Sequence, residues 1–236
     1  MPSHDPIDLW LRPERTGVGP KPEHSRAGIA AVAIDIADRD GLPAVSIRRV
    51  AAGIGSGSAS LYRYLKSHDE LVELMIDTVS GEYALDPSSK KPGIRLLDLA
   101  RQARAIMHRH PWLAPLLLTR PSMGPNALQY LEHALSAVEL VDMPGPVKLQ
   151  TVAMMTAITS AFVQNELSST NNSELKRAGA NARHQYLSEL MLSGDYPLLS
   201  AAFTGEHEPE HPDDMFDIVI TNYLAGAERQ FSGGSS

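Results

Sequence analysis

The chain contains no cysteine in 236 residues, which excludes a disulfide framework and any thiolate-ligated metal site. That fits a reducing compartment, and a cytoplasmic location is expected. No run approaches 18 apolar residues, and the opening MPSHDPIDLW lacks the charged-then-apolar order of a secretion signal, so neither a membrane span nor a signal peptide is expected. Sustained period-2 alternation bounded by hairpin turns is missing too, which argues against a sheet. No nucleophile triad, phosphate-cradling glycine loop or pair of catalytic carboxylates stands out, so the chain does not read as an enzyme and no cofactor is expected. One further absence is local. Although the chain carries 28 Asp and Glu and a formal net charge of −7, none lies between Gly41 and His68, where Arg48, Arg49, Arg63 and Lys66 give a basic stretch. Global charge does not advertise nucleic-acid binding, so such a role has to rest on this segment.

What is present is helical periodicity nearly throughout, with 43 % hydrophobic residues, enough for one large domain or two modest ones. The expected class is all-α: a small N-terminal three-helix head followed by a larger helical domain. Residues 1–23, with five prolines and two glycines, read as a flexible extended arm anchored by Trp10. Ile29, Val32, Ala33, Ile36 and Ala37 form one helical stripe that Gly41 can stop. Ile47, Val50, Ala51 and Ile54 form a second, capped by Ser46. After the turn at GSGS, a very short helix through SASLYRYL buries Leu61 and Leu65. Ser67 and Glu70 then make a capping box for a helix striped by Leu71, Leu74, Met75 and Val79. The head therefore spans 24–84, a break falls near LDPSSKKPG, and the larger domain runs over 85–231 before a disordered tail at 232–236. Within that domain the periodicity predicts helices at about 94–109, 111–119, 125–141, 146–168, 174–193, 196–204 and 213–231.

Two short helices joined by a tight glycine-containing turn, with basic residues on the second, form the pattern of a helix-turn-helix. The stretch SIRRVAAGIGSGSASLYRYLKSHDELVELM, with the stripe from Ile29 before it, closely resembles the DNA-binding domain of the TetR family of bacterial repressors. Residues 109–135 are also similar to the ligand domain of the subgroup nearest the tetracycline repressor. The resemblance implies a homodimeric, ligand-responsive repressor that leaves a pseudopalindromic DNA operator when a small apolar effector binds. It implies that Ser46 and Arg48 touch backbone and a base, with Arg48 the guanine reader. Ser58, Ala59 and Ser60 would face base edges, Tyr62 a phosphate, and Tyr64 and Lys66 the backbone. Arg49 is open between intramolecular pairing and a phosphate contact. Ser56 stands where the family commonly has a buried valine, and His68 where it has a second lysine, so phosphate binding there would strengthen as pH falls.

In the larger domain VKLQTVAMMTAITSAFVQNEL is apolar almost all round, which suits burial on several sides. With the stripe Phe216, Ile220, Tyr223, Ala227 and Phe231 it is expected to build a four-helix dimer interface, the alternative being ordinary intrachain core. Met107, Trp112, Leu116, Leu131, Met155 and Phe162 are the expected lining of an adaptable apolar pocket. His108, His110, His133, Asn165 and Glu166 are candidate polar anchors. SGEYALDPSS lacks the histidine of a tetracycline–metal site, so the ligand is not expected to be a tetracycline. His207 and His211, with Glu208 and Glu210, could hold zinc on a helix, but Pro209 and Pro212 favour an acidic loop. The competing reading is an α-helical enzyme or metal sensor that kept the head as scaffold.

Overall fold

The structure is a computed structural model that describes residues 5–12, 24–85, 92–170, 185–191, 194–204 and 212–232. Among them every regular element is helical. The order is α1 (Asp8–Leu11), α2 (Arg26–Asp40), a 3-10 turn (Leu42–Ala44), α3 (Ile47–Gly53), α4 (Ser58–Leu61) and α5 (His68–Ser80). There follow α6 (Pro92–Arg109), α7 (Leu113–Leu117), α8 (Pro125–Ala137), α9 (Gly145–Thr170), α10 (185–191), α11 (Pro197–Thr204) and α12 (Pro212–Ser232).

Caps set the head's boundaries. Ser25, Ser46 and Ser67 sit in extended backbone, and their hydroxyls accept from the third backbone N–H beyond, of Gly28, Arg49 and Glu70. Gly41 ends α2 at φ +83°. The end of α3 is a Schellman turn. Gly55 takes φ +70°, its N–H reaches Ala52 O at 3.1 Å, and that of Ser56 reaches Ala51 O at 2.8 Å. Ser56 thus contributes backbone where a valine would contribute packing. Helix α4 is shorter than the sequence suggests, because the chain leaves regular helix at Tyr62 and closes turns back to Leu61.

The core of the head buries Ile29, Val50, Leu61, Leu65, Leu71 and Met75 completely, each burial stabilising by about 1.5–3 kcal/mol relative to exposure. It runs on past residue 84 into Ile106, Met107, Trp112 and Leu113. A second core joins Leu96 and Leu99 of α6, Ala134 of α8, Val152 and Met155 of α9, and Phe216 and Ile220 of α12. Helix α6 serves both cores, packing on α8, α9 and α12.

Three sequence expectations change here. Residues 5–12 are not an extended arm. Leu9 is completely buried and Trp10 packs on the head, so an apolar pair among the prolines anchors a turn of helix. Second, the α12 stripe faces inward: Phe216 and Ile220 are fully buried within the chain, and Tyr223 Oη donates to Thr151 O at 3.3 Å. Third, the capping box forms on one side only. The Glu70 carboxylate accepts from Lys66 N–H at 2.8 Å, and Arg12 pairs with the same oxygen. Most of the 85–93 break, most of the 174–193 helix, His207, His211 and the tail from 233 lie outside the described residues.

Candidate DNA-contacting face and interior cavity

Helices α3 and α4 present the acid-free segment on one side of the head. Arg48 is exposed and makes no ion pair among the described residues. Arg49 pairs with Asp40 at the end of α2, so of its two open roles the structure shows the intramolecular one. Ala59 is exposed, Ser58 and Ser60 are half-buried, and Arg63 Nη2 donates to Ser60 Oγ at 3.0 Å. Lys66 is exposed, with Nζ held 2.8 Å from Tyr62 O. Arg48, Arg63 and Lys66 thus leave three cations without a carboxylate partner among the described residues.

The two tyrosines divide. Tyr62 is 49 % exposed, whereas Tyr64 is half-buried against the head's core. The backbone turns here, with Tyr64 N–H returning to Leu61 O at 2.8 Å, and the Tyr64 ring packs against the head's core. Tyr64, expected near the DNA backbone with Lys66, is thus the more buried of the two tyrosines. His68 Nε2 lies 3.1 Å from Val45 O, which ties the start of α5 to the start of α3.

Helix α5 carries three buried acids spaced along one face, and two of them, Glu73 and Asp77, join the head to the rest. Glu70 takes Arg12 and the Lys66 N–H. Glu73 Oε1 accepts from Trp10 Nε1 and Ser122 Oγ at 2.8 Å each and from Met123 N–H at 3.1 Å. Asp77 Oδ1 accepts from the Asn126 and Ala127 N–H groups at 2.9 and 3.0 Å, capping α8 from another helix. Burial raises the Asp77 carboxyl above its usual range, and those two backbone bonds only partly offset it. Beyond α5, His110 is clamped between carboxylates. Nδ1 lies 2.8 Å from Asp38 Oδ1 on α2, and Nε2 lies 2.9 Å from Glu82 Oε1. Trp112 Nε1 donates to Asp38 at 2.7 Å and Arg109 pairs with Glu82. Burial alone would raise the Glu82 carboxyl, but hydrogen bonds from Arg109 and His110 outweigh it and hold it low.

Behind α5 lies a cavity of about 330 Å³. Its walls come from Ile76, Val79 and Ser80 of α5, Tyr83, Ile106 of α6, Leu113 and Leu117 of α7, the 121–122 loop, α8 and the 149–156 part of α9. Of the expected lining only Leu131 is there. Met107, Leu116 and Met155 occupy neighbouring positions on correctly chosen helices but turn into the cores, leaving Ile106, Leu117 and Thr156 to face the space. Trp112 needs an acceptor for its indole N–H, finds it in Asp38, and so faces the head. Phe162 lies further along α9, edge-on to Phe216 at 5.3 Å, with Arg104 5.6 Å above its ring. The five expected polar anchors do not line the cavity. His108 faces Glu166 at 2.8 Å, and Glu166 holds Arg104. Tyr83 and Tyr130 were not identified from sequence: Tyr83 falls beyond a helix end, and Tyr130 is one position from the Leu131 that was.

A helix-turn-helix head with a cationic outer face, backed by a helical body with an apolar cavity, defines the class of a helix-turn-helix transcriptional regulator. Comparison with known proteins agrees. Residues 93–231 match the family described as tetracyclin repressor-like, C-terminal domain, and the chain belongs to that TetR family of helix-turn-helix regulators. It is 29 % identical to the HTH-type transcriptional repressor DrrR1 of Streptomyces coeruleorubidus over 93 % of this chain and 83 % of that protein. ActR from Streptomyces coelicolor in its apo form matches with a TM-score of 0.72 at 25 % identity, over 87 % of this chain and 97 % of ActR. ActR in complex with actinorhodin matches in fold with a TM-score of 0.74 at 23 % identity, over 90 % of this chain and 99 % of ActR.

Proposed function

We propose that the chain is a homodimeric repressor whose paired heads grip a pseudopalindromic operator and let go when a small apolar effector fills the cavity. The observation that carries this is the exposed, carboxylate-free face of α3 and α4 set on a family fold whose body holds a cavity. Two heads of this kind would enter successive major grooves about 34–36 Å apart. Arg48 is the base reader, because a guanidinium with no internal partner is free to grip guanine through two donors. Ser46, Tyr62 and Lys66 hold phosphates and set register. Ser58, Ala59 and Ser60 are small enough to let α4 approach the base edges. Tyr64 supports this surface from within. Partner contact falls to the outward faces of α9 and α12, where Met154, Met215 and Ile218 remain exposed.

The 120–124 loop and α5 form both cavity wall and head support, which gives the effector a mechanical route. To release DNA it must bind the released state more tightly than the DNA-bound one. The actinorhodin complex of ActR supports an effector role for this cavity. A gel shift with the DNA upstream of the gene encoding this chain tests the assignment. Arg48→Ala should weaken binding by about 1–3 kcal/mol and relax preference at one base pair. Tyr62→Phe should weaken all sequences alike. Unchanged binding by the double variant would remove the assignment.

A further inference from the structure

Of the three head cations without a carboxylate partner among the described residues, Arg48 and Lys66 have roles in the proposed function and Arg63 has none. Its isolation is built in. The carboxylates that flank the acid-free stretch are each taken by another cation: Asp40 by Arg49, Asp69 by Arg120 at 2.6 Å, and Glu70 by Arg12. What Arg63 has instead is Ser60. Its backbone N–H returns to Ser60 O at 3.2 Å and its Nη2 donates to Ser60 Oγ at 3.0 Å, so main chain and side chain are both tied to the same residue. Residues three apart in a turn closed this way lie on one side of it. The inner side is occupied, since Leu61 and Leu65 are fully buried and Tyr64 packs against the core. Arg63 is exposed, one turn beyond the exposed Ala59. The guanidinium therefore shares the outward surface of α4 with the small residues that admit base edges.

Resting on the reading of α4 as the helix that enters the major groove, we infer that Arg63 is a second specificity-determining residue, gripping a guanine at a different base pair from Arg48, and that Ser60 is the positioning residue that holds it. A guanidinium carries five N–H donors, and the tether spends one of them. The others can meet O6 and N7 of guanine, a pair of acceptors that no other base presents in the major groove. Ser60 is neutral, so it orients Arg63 without cancelling its charge, and a side chain held before DNA arrives loses less freedom on binding. Serine alone discriminates poorly, because its hydroxyl both donates and accepts, and Ala59 has no polar group to offer. Sequence preference along α4 accordingly falls on the arginine at its end.

Selection of sites from a pool of random DNA duplexes by the full chain tests this, followed by gel shifts on the selected site and its single-base-pair variants at several salt concentrations. Replacing the guanine read by Arg63 should weaken binding by the unaltered chain about tenfold. Arg63→Lys keeps the charge but not the fork. It should erase the preference at that base pair in each half-site, and leave the other positions and the salt slope as they were. Ser60→Ala should weaken binding to the selected site about threefold, with no further loss when Arg63 is already lysine. Melting temperatures should stay put, since Arg63 is exposed. Selection of the same sequence by Arg63→Lys and the unaltered chain overturns the inference. So does an Arg63→Ala variant that weakens every sequence alike and lowers the salt slope by about one, which is the mark of a phosphate contact. An equal loss from Ser60→Ala with and without Arg63 overturns the positioning role, because Ser60 would then touch DNA itself. A chain that selects nothing from the pool removes the repressor reading and this inference with it, whereas a selected site indifferent to Arg63 removes this inference alone.

Discussion

Arg12 partners a carboxylate that water does not reach. The Glu70 side chain is completely buried, one of its oxygens has no hydrogen bond, and the other depends on Arg12 and the Lys66 N–H. Removing one member of such a pair leaves a charge stranded at low dielectric, which costs more than forming the pair ever returned. Arg12 is itself a third exposed, so water entering the gap softens the loss. Arg12→Ala should therefore destabilise by about 2–4 kcal/mol in urea denaturation, with Arg12→Lys recovering part of it. A loss below about 0.5 kcal/mol would show that α1 is not needed to satisfy Glu70. The anchoring by Trp10 was legible in the sequence as a lone large aromatic among prolines. The pairing of Arg12 with Glu70 was not, because a buried glutamate in the first turn of α5 reads from sequence as an ordinary capping residue.

Helices show a different division between what sequence specifies and what packing decides. The end of α3 is local chemistry: a glycine at φ +70° with two carbonyls returned to their N–H partners. Gly55→Ala places a side chain in left-handed backbone and should cost about 1–2 kcal/mol, although an added Cβ would meet nothing within 4 Å. Gly57 lies two residues on, with equally open space but φ −82°, and Gly57→Ala should stay within about 0.5 kcal/mol. Equal thermal shifts for the two variants would contradict the backbone explanation. The head was readable for this reason: its stripes, caps and turn each act over a few residues. The cavity was readable only to the level of its helices. Ile106 and Met107, or Met155 and Thr156, are adjacent residues about 100° apart around a helix. On a segment as apolar as α9, nothing in the pattern says which of two neighbours meets a void and which meets Phe216. The inward stripe of α12 misled for the same reason, since a buried face looks identical whether a partner chain or the same chain covers it.

At the scale of the molecule, two ionic junctions clamp the helices together, and both respond to acid. Glu82 links His110 and Arg109 below the head, and Glu166 links Arg104 and His108 where α6 crosses α9. Burial alone would raise both carboxyls, yet their hydrogen bonds outweigh it and hold both below the ordinary glutamate value of 4.5. The unfolded chain therefore takes up protons first as pH falls. The stabilisation from both glutamates is complete above about pH 4.5 and is lost progressively as pH drops towards their folded-state values. Asp77 has the opposite sign. Burial raises its carboxyl, so the folded chain holds that proton more tightly and stability falls as pH rises from 3.8 through the raised value. Wild-type protein should accordingly lose stability on the acid side less steeply than its two glutamates alone would dictate. Asp77→Asn keeps an oxygen to cap α8 but removes the opposing titration, so its melting temperature should drop more steeply between about pH 5 and 3 than that of the wild type. Glu82→Gln should flatten the same limb, because one of the two acid-labile groups is gone while His110 retains Asp38. Melting curves across that range decide the matter: parallel acid limbs in all three proteins would mean that neither junction nor cap governs how the head is held to the body.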